Sequence, residues 1–197
     1  MSRLEAEPGV AAVTFSSAVP GFAADRVIRL EDGVPARETG VLDVNEIHVG
    51  LNAFSAYDAA IVAGRGFVPG DIGATRAVIV NRTFVRDFVG SHSAVGLRFR
   101  YAGSQQSGQG VQPPLEWYQI VGVVEDFPSF APDPGSDGAP VIYHPSRVGD
   151  LHPVVMAVRY HGRMPADAAA RLRTIGAEVD PALQLRRLQP LSVFYNQ

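Results

Sequence analysis

The chain has 197 residues, 46% of them hydrophobic, with 17 basic and 20 acidic side chains and a formal net charge of -3. That length suits one domain or two small ones, and the mixed charge offers neither a basic patch for nucleic acid nor an acidic tail. All 17 basic residues are arginine and cysteine is absent, which excludes a lysine Schiff base, a Walker lysine, thiol catalysis, thiolate metal sites and disulfides.

In chain order, Arg3 to Glu7 reads as the end of a helix stopped by Pro8 and Gly9. Val10 to Val19 alternates through Val13, Phe15 and Ser17 as a strand closed by Pro20 and Gly21. Arg26 to Glu31 is a short strand, and Gly40 to Leu51 a longer one with apolar and polar residues on both faces. Asn52 is placed to cap a helix through Ala60. Glycine and proline then dominate from Ile61 to Gly73, where a crossing between two lobes is expected. The glycines Gly64, Gly66 and Gly70 read G-x-G-x-x-x-G, with no strand before them and no helix after, so they predict a turn rather than a dinucleotide loop.

Ala77 to Val80 is an apolar strand, Asn81 caps a helix carrying Phe84, Val85 and Phe88, and Gly90 ends it. Two further strands, Leu97 to Tyr101 and Glu116 to Glu125, flank the polar insert Gly103 to Pro114, which is too poor in apolar groups to order itself. A second loop, Asp126 to Pro140, carries Phe127 and Phe130, the one lead for a partner contact. After the short strand Val141 to Tyr143 comes the best-patterned unit. Val154, Met156, Val158 and Tyr160 share one face of a strand. Ala168, Leu172, Ile175 and Val179 form one helical stripe, and Pro181 stops it before an extended segment through Leu183, Leu185 and Leu188.

Chemistry is sparse. His144 and His152 are within reach of one another across a loop, while His48 and His161 stand apart, and none has metal-ligand spacing. Gly90 to Ala94 places serines beside His92 without a nucleophile elbow. Glu125 and Asp126 are adjacent on a strand and face opposite ways. The residues therefore predict no catalytic set, no cofactor site and no metal site, and no run of about 18 apolar residues marks a membrane span.

Five segments in order, LEAEPGVAAVTFSSAVP, VNEIHVGLNAFSAYDAAIVAGRGFVPGD, AVIVNRTFVRDFVGSHSAVGLRFR, YQIVGVVEDF and RLRTIGAEVDPALQLRRLQPL, resemble the MacB-like periplasmic core domain of FtsX-like ABC transporter permeases. The resemblance implies an α+β fold in two lobes: a discontinuous porter-like strand-helix-strand lobe from residues 1–70 and 150–197, and a smaller α/β lobe inserted at 71–149. It implies a non-enzymatic periplasmic or extracellular segment of an inner membrane permease, passing ATP-driven motion to substrate export or release. The implied partners are a cytoplasmic ATP-binding subunit or domain, a periplasmic adaptor and a second permease copy, with no nucleic acid. Members usually begin with a strand and a full helix, so an excised fragment with an open sheet edge is expected. The alternative is a small-molecule binding module with its cleft between the lobes.

Overall fold

The computed structural model describes residues 2–19, 24–31, 42–73, 75–90, 92–102, 116–126, 138–180, 185–191 and 193. Strands β1 (Val10–Ser16), β2 (Ala24–Leu30), β3 (Leu42–Val49), β4 (Ile61–Gly64), β5 (Ala77–Asn81), β6 (Arg98–Tyr101), β7 (Tyr118–Val124), β8 (Val141–Pro145) and β9 (Val155–Tyr160) form one sheet. Helices α1 (Ser2–Glu5), α2 (Ala53–Ala56), α3 (Arg82–Phe84) and α4 (Ala168–Val179) pack around it. The α+β expectation therefore holds at the level of a sheet with surrounding helices.

The strand pairings close on themselves. β2 pairs β6, then β7, β5, β8 and β3 follow, and β3 returns to β2. A barrel of this size has an interior that side chains alone fill. Ile28, Leu42, Val44, Val78, Val80, Phe99, Ile120 and Ile142 fill it. One end is plugged by Phe84, Phe88 and Val89, because α3 leaves β5 directly at Asn81 and continues as a π turn, Val85–Val89, ended by Gly90 at φ 67. The wider π turn carries Phe88 into edge contact with Phe84, their ring centroids 5.1 Å apart.

A second core lies on the outer face of the barrel, where Ile47, Val49, Ile79, Val124 and Tyr143 meet Phe54 and Phe67. This resolves the mixed faces of β3: Leu42 and Val44 point into the barrel, Ile47 and Val49 into the second core. Every residue of β5 is buried, as a run of apolar residues requires when both faces are covered.

β1 and β9 form an antiparallel ladder outside the barrel, with Thr14 opposite Ala157 and Phe15 opposite Met156. This ladder joins the barrel through a single bridge pair, Ser16 with Val49, through the Gly50 N–H, which donates to the Phe15 carbonyl at 2.9 Å, and through Ser17, whose N–H donates to the His48 carbonyl at 2.8 Å and whose hydroxyl oxygen accepts from the His48 N–H at 3.0 Å. α1 and α4 lie together on the same unit, tied by ion pairs of Arg3 with Glu178 at 3.0 Å and of Glu7 with Arg171. Among the described residues β9 has a neighbour on one side only.

Several local expectations change. Asn52 makes no cap with its side chain, and α2 stops at Ala56 rather than Ala60. The amide reaches back to β1 instead: Nδ2 donates to the Val13 carbonyl at 2.9 Å, and Oδ1 accepts from the Thr14 hydroxyl at 3.0 Å. A strand does precede the glycine cluster, since β4 pairs β7. Gly64, at φ 68, lies so close to β7 that a Cβ there would drive into the Val121 carbonyl. The chain then turns through residues 69–71, and Arg65 clamps the turn with paired bonds of 2.6 and 2.9 Å to Asp71.

At the C-terminal unit, strand and helix appear as expected, but residues 185–190 join no ladder, and Leu183 lies outside the described residues. The helical stripe is also only partly covered: Ala168 is buried, Leu172 and Ile175 are half-buried, and Val179 is 64% exposed.

Candidate functional site

The polar groups that converge lie at the barrel end opposite α3. β3 and β8 run parallel with His48 opposite His144, and the same register places Glu46 opposite Ile142. Since side chains alternate, Glu46 and His48 continue the inward row begun by Leu42 and Val44, and His144 continues that of Ile142. Tyr101 continues the row of Phe99 on β6, Tyr118 opens β7, and Arg26 lies two residues from Ile28 on β2. Apolar rows from five strands thus end in polar residues at one mouth.

The groups satisfy one another. The His48 and His144 rings stack with centroids 5.0 Å apart. The Tyr101 hydroxyl and His144 Nε2 share a 2.7 Å hydrogen bond. Glu46 accepts from Arg26 Nε at 2.6 Å and, because a carboxylate only accepts, from the His48 Nε2–H at 2.9 Å. Tyr118 sets its ring edge against His144 at 5.1 Å.

Burial dominates the electrostatics. His144 is 7% exposed, and desolvation of its charged form, reinforced by neighbouring His48, pushes its pKa down to about 4. Burial alone would raise Glu46, but the His48 hydrogen bond, the charge of His144 and the Arg26 contact together hold it down to about 2. Tyr101 is pushed well above the ordinary phenol range by burial and by the nearby Glu46 carboxylate. At neutral pH the mouth therefore contains a neutral His144, an ionised Glu46 and a neutral Tyr101. Its hydrogen bonds fall into two sets, Tyr101 with His144 and Glu46 with Arg26 and His48, joined by the stacked imidazoles. Among the described residues, no three His, Asp or Glu side chains gather as a metal site.

Sequence reasoning paired the wrong histidines. His144 meets His48, while His152 lies exposed at a cis His152–Pro153 bond and His161 is exposed. The missing information was the parallel register of two strands nearly a hundred residues apart. Glu125 and Asp126 do serve separate partners: Glu125 accepts from the Ala60 N–H at 2.9 Å, and Asp126 from Asn81 Nδ2 at 2.7 Å. Phe127 and Phe130 lie outside the described residues. A small, open groove is lined by Glu7, Pro8, Tyr160, Leu172 and Ile175.

No protein-family model matches the sequence, and no curated protein matches it. Solved structures do. The periplasmic region of MacB from Actinobacillus actinomycetemcomitans is similar at a TM-score of 0.56 and 10% identity, over 91% of this chain and 71% of that one. The extracellular domain of the noncanonic ABC-type transporter YknZ from Gram-positive bacteria is similar at 0.53 and 16%, over 89% and 75%. A domain assigned to a permease protein of Porphyromonas gingivalis is similar at 0.58 and 17%, over 100% and 87%. At these identities the likeness establishes architecture, and on architecture the chain has the MacB-like periplasmic domain fold of ABC transporter permeases.

Proposed function

We propose that this chain is the periplasmic or extracellular domain of an inner membrane ABC transporter permease, and that it works by contact and motion rather than by making or breaking bonds. The observation that carries the reading is the shared fold with three transporter or permease domains over 89% or more of the chain. The moving parts are the β1–β9 unit with α1 and α4, and the barrel. One bridge pair, the hydrogen bonds of Gly50 with Phe15 and of Ser17 with His48, and the Asn52 amide connect them, a short junction that suits relative motion. The porter-like lobe at 1–70 and 150–197 and the inserted lobe at 71–149 are proposed from the resemblance alone, and their boundary differs from this division, because β2 and β3 of the first belong to the barrel with β5 to β8.

In this reading a cytoplasmic ATP-binding subunit or domain drives the motion through membrane helices. A periplasmic adaptor and a second permease copy complete the assembly, with the free edge of β9 available for pairing. Absence of cysteine makes the placement directly testable. Val148 is 42% exposed, and Val148→Cys in the protein expressed from its own gene should react with a membrane-impermeant maleimide in intact spheroplasts. Labelling that appears only after lysis would overturn the proposal. Spin labels at Val148→Cys and Glu178→Cys should change separation when ATP is supplied, and an unchanged distance would remove the mechanical part of the reading.

A further inference from the structure

On the outer face of the barrel, three neighbouring strands place Arg29, Arg100 and Trp117 in one transverse row. Arg29 of β2 is the ladder partner of Arg100 of β6, and the β6–β7 register of Phe99 with Tyr118 brings Trp117 level with Arg100. Like charges directly opposite each other on an antiparallel pair destabilise it. Neither arginine makes an ion pair with any described residue: Asp43, across β2, opposes Val27 and pairs with neither, and the Arg100 Nε is buried without a hydrogen-bond partner. Arg98, by contrast, is bonded to Glu31 at 3.0 Å. Trp117 is 40% exposed, with the Arg98 and Arg100 guanidinium carbons 5.9 and 5.2 Å from its ring.

The region carries Arg29, Arg76, Arg98 and Arg100 against Glu31 and Glu116, on a chain whose net charge is -3. A local positive patch on a negative chain, with two forks unpaired among the described residues and an exposed indole, matches the composition of interface hot spots. We propose that the Arg29–Arg100–Trp117 row is a docking surface for an acidic segment of a partner protein, with an Asp or Glu carboxylate held between the two guanidinium groups and an apolar neighbour on the indole. The planar fork of arginine matches a carboxylate through paired N–H donors. A protein segment fits better than an anionic membrane. The rim carboxylates Glu31 and Glu116 would face the lipid headgroups, and Trp117 is the one exposed large apolar side chain in the row. The inference does not depend on the transport reading.

Trp117 is the only tryptophan in the chain, so its fluorescence reports the site directly. A synthetic peptide alternating Glu and Leu, titrated at low salt, should change the emission saturably and more weakly as salt rises. The same peptide with Lys in place of Glu should leave it unchanged. Arg29→Gln with Arg100→Gln should weaken the acidic peptide at least tenfold while leaving the circular dichroism spectrum and melting temperature as they were, and Arg29→Gln alone serves where the pair fails to fold. Three outcomes would each overturn the proposal: equal response to both peptides, affinity unaffected by the arginine changes, or a response confined to phosphatidylglycerol vesicles.

Discussion

His144 shows how one buried side chain makes stability depend on pH. In the unfolded chain a histidine takes up its proton near pH 6.5, whereas folded His144 resists it down to about 4. Protons therefore favour the unfolded state across that interval, and the contribution of this site is complete above pH 6.5 and lost as pH falls toward 4. Glu46 acts in a lower window: its carboxyl is held down to about 2, so its contribution is present above the ordinary value of 4.5 and lost between 4.5 and 2. Denaturant titrations at pH 7.5 and 4.5 should differ by about 2 to 3 kcal/mol through His144, and His144→Gln should flatten that difference. Equal stability of the native chain at both pH values would contradict the buried, neutral imidazole. None of this was legible from the residue itself, because a histidine next to an apolar run reads the same whether its neighbour across the barrel is water or another imidazole.

At the scale of an element, Asn81 joins three pieces of chain. It ends β5, and its Oδ1 accepts from the Phe84 N–H at 3.1 Å and the Val141 N–H at 2.9 Å, while Nδ2 donates to Asp126 and to the Ala139 carbonyl. With Asn81 only 3% exposed, Asn81→Ala would strand buried donors and acceptors and remove the cap of α3. It should cost about 2 to 4 kcal/mol in urea unfolding. A loss under about 1 kcal/mol would mean that water replaces the amide without penalty. The cap was readable in the sequence because an asparagine before Phe84 and Val85 has a local meaning. Asn52 had the same signature and a different outcome: Thr14, 38 residues away, captured its side chain. Local competition between a cap and a distant partner is settled by which strand folds alongside, and β4 was missed for the same reason, since Gly64 is a strand residue only because β7 lies against it.

For the whole molecule the question is how firmly the β1–β9 unit is fastened to the barrel. Asn52→Ala would leave the Val13 carbonyl and the buried Thr14 hydroxyl without their bonds. An unmet buried group costs about 1 to 3 kcal/mol. Hydrogen exchange of β1 and β9 amides should then accelerate roughly tenfold or more, while β5 and β7 amides keep their native rates. Equal acceleration in both would make the molecule one cooperative unit and would remove the mechanical junction from the proposed function. Periodicity, capping and composition act within a few residues, so β1, β5, β7, β9 and α4, the stop signals at Gly9, Gly90 and Asp180, and the exclusion of lysine and cysteine chemistry are all legible in the chain alone. The closure of six strands into a barrel, the meeting of His48 with His144, and the row of Arg29, Arg100 and Trp117 emerge with the folded sheet. Each of these depends on the register between strands distant in sequence, which is set by the fit of whole faces against one another.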